Sequence, residues 1–167
     1  MHNVWGHVAE ILIAPAATAG IVSVSMARAV PGRGLVGDRY FAGTGTFSPQ
    51  PQKADFELTL IEEENVTAFA MESGLNFSTA AARRNIVTRG VRLNDLVGRE
   101  FLIGAVRVRG MRLCEPCAHL AKLTYPRVLA GLVHKGGLRA QILSQGEIRV
   151  GDEIRLGVEH AQPVAEV

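Results

Sequence analysis

"FELTLIEEENVTAFAMES", residues 56–73, decides the class of fold. Phe56, Leu58 and Leu60 alternate with Glu57 and Thr59, the two-residue period of a half-buried strand. Three acids at 62–64 then suit a helix N-terminus, Val66, Phe69 and Ala70 share one helical face, and Gly74 stops the helix. Working outward, the same grammar recurs with strands in the majority. Val8–Ile13 predicts a first strand, and Ile21–Val30 alternates around Val22, Val24 and Met26. "NIVT", "EFLIG", "VRVRGMRL", "LRAQIL" and "EIRVGDEIRL" continue it, with glycines at nearly every junction, as a small coiled barrel or sandwich requires. Further short helices are expected near Pro116 and after Thr124, which reads as an N-cap with Pro126 in the first turn. Long helices do not alternate with the strands, which excludes a doubly wound parallel sheet. The expectation is a mostly β (α+β) fold, a barrel-like domain with a few short flanking helices. It forms a single domain over residues 1–157, with a frayed tail over 158–167.

A chain of 167 residues is enough for one proper core and short for two. It is 47% hydrophobic and 20% charged, with a formal charge of +2 and a pI of about 8.8. That slight basic tilt argues against a dedicated nucleic-acid binder and leaves room for a pocket that takes a small anion. Two cysteines make no disulfide framework. The uncharged stretch from Ile11 to Ala27 carries Pro15, Gly20 and several hydroxyls, with no Lys or Arg before it, so it reads as strand, turn, strand. A cytoplasmic protein with no membrane partner is expected.

Four clusters carry candidate chemistry. "RLCEPCAHL", 112–120, holds both cysteines. Zinc wants four ligands, and Cys114, Cys117 and His119 leave the shell one short, with His134 at a spacing that fits no standard knuckle. A dithiol redox pair normally follows a strand in a βαβ setting, which is lacking. A single functional thiol fits better, since Cys117 stands where a strand gives way to a helix and backbone N–H groups favour a negative sulfur. Pro116 presets the first helical turn and makes Cys117 the better-held cysteine. Two buried small residues remain an equal alternative on composition alone. Arg107, Arg109 and Arg112 add positive potential only if they lie on the correct strand face. "ARRNIVTRG", 82–90, offers either an anion fork of Arg83, Arg84 and Asn85 or an exposed basic turn. "GRGLVGDRY", 32–40, permits unusual backbone angles, and Asp38 and Arg39 can pair or orient a loop. "AGTGTFSPQPQKAD", 42–55, reads as a functional loop or a mobile one.

In this order, "GRGLVGDRY", "FELTLIEEENV", "RRNIVTRGVRLNDLVGREFLIG", "RLCEPC" and "GGLRAQILSQGEIRVGDEI" resemble the MOSC domain, the module named for the C-terminal part of molybdenum cofactor sulfurases. The resemblance covers residues 8–156 and implies a β-rich barrel that binds a molybdenum cofactor, or handles sulfur for one, through one cysteine. The matching cysteine is Cys117, implied as metal ligand and catalytic residue, with Cys114 a packing neighbour. The resemblance further implies that Arg83 and Asn85 contact the pterin phosphate, with Arg84 at a variable position. Gly37, Asp38 and Arg39 would shape the pocket wall, Gly137 and Arg139 match a later "GG-x-R" element, and the resemblance implies a cofactor-binding role for all five. Tyr40 stands where relatives often carry His. The implied activity is reduction of an N-hydroxylated small molecule, re-reduced by separate electron-carrier proteins. The alternatives are a sulfur carrier, in which Cys117 takes persulfide sulfur from a separate cysteine desulfurase, and a cofactor-binding module without turnover.

Overall fold

A computed structural model describes residues 4–156; the frayed tail expected over 158–167 lies outside the described residues. Among the described residues there are eleven strands: β1 (Val4–Ile13), β2 (Val22–Val24), β3 (Met26–Val30), β4 (Gly34–Leu35), β5 (Leu58–Glu62), β6 (Ile86–Arg89), β7 (Glu100–Ile103), β8 (Val106–Leu113), β9 (Leu138–Ile142), β10 (Gly146–Arg149) and β11 (Glu153–Leu156). The helices are α1 (Glu63–Ser73), α2 (Thr79–Ala82), α3 (Ala118–Leu123) and α4 (Val128–Gly131). No helix among the described residues is long and apolar enough to cross a membrane.

Strands β11, β7, β8, β9, β5, β6 and β1 pair in that order, and β1 pairs back onto β11 to close a seven-stranded barrel. A closed ring of antiparallel neighbours needs an even number of direction reversals, so seven strands demand a parallel pair. That pair is β5 with β6, Leu60 opposite Ile86, and α1 and α2 supply the crossover that parallel strands require. Strand β2 extends β1, while β10, β3 and β4 form a small second sheet.

The barrel interior is filled by apolar side chains such as Leu58, Leu60, Ile86, Val108, Leu138 and Ile154. A second cluster lies outside the barrel wall, where Leu12, Ile61 and Val87 are covered by Val66, Phe69 and Leu120. Strands β5 and β6 are therefore apolar on both faces, as strands buried on both sides are. Because the interior is full, a ligand site has to lie on the outer wall.

Several local expectations are corrected. Phe56 belongs to a 3-10 turn at Ala54–Phe56, so the strand starts at Leu58. Glu57 does not face solvent; it is buried, with Oε1 accepting from the Gly32 N–H at 2.7 Å. The stretch 21–30 breaks into β2 and β3, and Ala27 and Ala29, not Val22 and Met26, are the buried residues, because small side chains fit where the second sheet packs on the barrel. Thr124 closes α3 instead of opening the next helix, since its N–H and Oγ1 both donate to the Leu120 carbonyl. Helix α2 is a further short helix beyond those the sequence pattern marks, and Ser78 caps it by accepting from the Ala81 N–H.

Candidate functional site

A cavity of about 330 Å³ opens on the outer wall, over the row that Thr59 of β5, Arg139 of β9 and Arg112 of β8 form by register. Alternation sends Leu138 and Ala140 inward and leaves Arg139 facing out. The bulge between Gly110 and Arg112 brings Arg112, and not Met111, opposite Arg139. Arg107 and Arg109 lie elsewhere on the wall and are held by Glu100 at 2.9 and 2.6 Å, so of the three only Arg112 reaches the cavity.

Both cysteines line this space and both are free. Residues 114–117 run from the end of β8 to α3 without a turn. Cys114 is 2% exposed, and its N–H donates to the Gly137 carbonyl at 2.8 Å. Cys117 is partly exposed and caps α3, with Sγ accepting from the Leu120 N–H at 3.4 Å. His119 follows on the wall and packs edge-on against Phe47, centroids 5.6 Å apart. Thr46 and Phe47 make the loop 42–55 part of the cavity. Among the described residues no three His, Cys, Asp or Glu side chains gather as metal ligands; His134 is turned away, its Nδ1 3.0 Å from Glu115.

Five arginines line the cavity: Arg39, Arg83, Arg84, Arg112 and Arg139. Asp38, buried beneath, aims Arg39 by accepting from its Nη1 at 3.1 Å and ties the loop down by accepting from the Ala14 and Tyr40 N–H groups. Arg39 Nη2 donates to the Arg83 carbonyl, and Arg83, in the left-handed region at φ 58°, donates to the Ala19 carbonyl at 3.0 Å. Burial, and then the like charge of Arg39, lower the pKa of Arg83. A guanidinium penalised in this way at Arg83, lining the same cavity as Arg39, favours an arriving anion.

Asn85 does not reach the cavity. It is 3% exposed; its Oδ1 accepts from the Thr59 N–H and hydroxyl, and its Nδ2 donates to the Leu12 carbonyl. It stitches the start of β6 to β5 and β1. Gly37, at φ 92°, and Asp38 shape the loop behind Arg39 without lining the cavity. Gly137, at φ 110°, lies so close to β5 that a Cβ would overlap the Leu60 carbonyl oxygen. Tyr40 does line the cavity, with the Arg39 guanidinium 4.9 Å from its ring centroid. Only the fold brings Phe56, in its 3-10 turn, and Thr59, through strand pairing, beside Arg139, and only the register decides which face Arg112 takes.

Comparison with known proteins matches the MOSC domain over residues 36–155. No curated protein matches the chain. Among solved structures, it is similar to the YuaD protein from Bacillus subtilis, with a TM-score of 0.75 at 14% identity, covering 89% of this chain and 93% of that one. It is also similar to YiiM from Geobacillus stearothermophilus (TM-score 0.71, 17% identity, 92% and 75% covered). YiiM from Escherichia coli superposes at a TM-score of 0.66 and 16% identity, with 91% and 70% covered. At such identities these likenesses speak for the fold.

Proposed function

The chain belongs to the MOSC domain family, and on that premise we propose that it is a cytoplasmic oxidoreductase that binds a molybdenum cofactor and reduces N-hydroxylated small molecules. The observation that supports this most is the meeting, in one cavity, of a partly exposed thiol at Cys117 with the desolvated pair Arg39 and Arg83. The donor set fits the cofactor: a soft sulfur for the metal, and two guanidinium forks for the phosphate. Bound there, the cofactor supplies a two-electron reduction in which an N-hydroxyl compound takes up two electrons and two protons and leaves as the amine and water. The electrons come from separate carrier proteins.

The chain's own residues hold and orient. Cys117 would hold the metal, its sulfur positioned by the Leu120 N–H. Asp38 locks Arg39 toward Arg83, so the phosphate grip is organised before anything binds. Phe47 and His119, packed edge-on, wall one side of the cavity.

The test is molybdenum and pterin content per chain, for protein produced in a cofactor-making host, with Cys117→Ser alongside. Near-stoichiometric metal and pterin, lost in the variant, is the expected result. The exposure of Cys117 favours one further reading, a carrier of persulfide sulfur supplied by a cysteine desulfurase. Absence of metal together with cyanide-releasable sulfur on Cys117 would overturn the reductase in favour of that carrier.

A further inference from the structure

We propose that Arg112 and Arg139 form a second oxyanion subsite in this cavity, one that receives a carboxylate or phosphate carried by the substrate. The assignment to a substrate rests on the reductase reading above; the subsite itself rests on geometry.

Arg112 and Arg139 are cross-strand neighbours on β8 and β9, and both face the cavity. Each other arginine there already donates to an acceptor. Arg39 has Asp38 and the Arg83 carbonyl, Arg83 the Ala19 carbonyl, Arg84 three carbonyls, and Arg112 the Asp55 carboxylate at 2.7 Å. Arg139 alone donates to none of the described residues, and its Nε is buried without a partner. A buried donor left in this way costs free energy that an arriving acceptor recovers.

Charge points the same way. Burial raises the pKa of Asp55, but its bond to Arg112 and the charges of Arg112 and Arg139 lower it by more, so the carboxyl is held ionised. It neutralises one guanidinium of the pair, and one positive charge is left over. The Phe56 ring keeps both groups in place: its centroid is 4.7 Å from the Arg139 guanidinium and 5.9 Å from that of Arg112. Packed on a ring face, a guanidinium still presents its N–H edges in plane. The subsite and the Arg39–Arg83 grip have separate aromatic supports: the Arg39 guanidinium lies by the Tyr40 ring and those of Arg112 and Arg139 by Phe56, with the two ring centroids 6.3 Å apart. A ligand with an oxyanion at a distance from its reacting group is therefore bound at two points.

Calorimetric titration of the full chain with benzoate and with phenyl phosphate, in phosphate-free buffer, tests this without requiring turnover. Both probes are expected to bind. Arg139→Gln and Arg112→Gln should each weaken benzoate by about tenfold, and Arg83→Gln by less than about twofold. Arg139→Lys, which keeps the charge without the fork, should fall between, and circular dichroism confirms that each variant is folded. Tighter benzoate assigns a carboxylate to the subsite, and tighter phenyl phosphate lost in Arg139→Gln assigns a phosphate; either supports the proposal. Wild-type protein that binds neither probe, unchanged binding in Arg139→Gln, or equal loss in Arg83→Gln would overturn it. If the chain carries no molybdenum while benzoate binding still depends on Arg139, the subsite stands and the reductase reading alone falls.

Discussion

Arg84 Nη2 donates to the carbonyl oxygen of Cys114 across 3.3 Å, so a buried cation grips the backbone three residues before Cys117. The same guanidinium donates through Nε to the Gly136 carbonyl at 2.9 Å and through Nη1 to the Ala82 carbonyl at 3.2 Å. One side chain thus joins the segment that carries the thiol to the turn that leads into β9. Removing it leaves carbonyls without donors in a buried place. Arg84→Met should lower stability by about 2–3 kcal/mol, read as a lower urea midpoint. Arg84→Lys should recover only part of that, because an ammonium lacks the planar fork.

Asn85 and Arg83 stand two positions apart in one motif, yet the structure gives them different work. Asn85→Ala strips Thr59 of an acceptor and the Leu12 carbonyl of a donor, and should cost about 1–3 kcal/mol of stability. Inorganic phosphate binding by the folded variant should change by less than about twofold, whereas Arg83→Gln should weaken it by about tenfold. Equal loss of phosphate affinity in both would place Asn85 in the anion grip after all.

The two cysteines differ in access, Cys114 being 2% exposed and Cys117 open to the cavity. A thiol-specific chromophoric disulfide should react rapidly with one thiol per folded chain and with both after denaturation. Cys117→Ser should remove the rapid phase, and Cys114→Ser should leave it intact. A rapid phase that survives in Cys117→Ser would break the single-thiol assignment.

Burial raises the pKa of Glu57 above the ordinary carboxylate range, against the opposing pull of the Gly32 and Ile142 N–H groups. The folded chain therefore keeps a proton at pH values where the unfolded chain has lost it. Its contribution to stability is complete below the unfolded-state pKa and is lost as pH rises through the folded one. Unfolding free energy measured from mildly acidic to neutral pH should fall with rising pH by a component that Glu57→Gln removes. An identical slope in the variant would contradict that assignment.

Much of this protein is legible in its sequence. Alternation and glycine placement mark most of the strands, because a half-buried strand must repeat every two residues wherever it lies. The Pro116–Cys117 step marks a thiol at a helix start, since capping is settled by a few neighbouring residues. What the sequence could not settle are matters of pairing. Whether Arg107, Arg109 or Arg112 meets Arg139 depends on a bulge in β8 and on the register with β9, which no local pattern encodes. Asn85 looks like part of an anion fork until Thr59 and Leu12, 26 and 73 residues away, claim its amide. Glu57 looks exposed until the Gly32 loop closes over it. The sequence by itself determined most of the strands and the β-rich class, since these follow from short-range sterics and periodicity. Tertiary structure alone decided which polar groups are spent on holding the fold and which are left over to bind, because a hydrogen-bonding group is satisfied only by partners that folding brings from elsewhere in the chain.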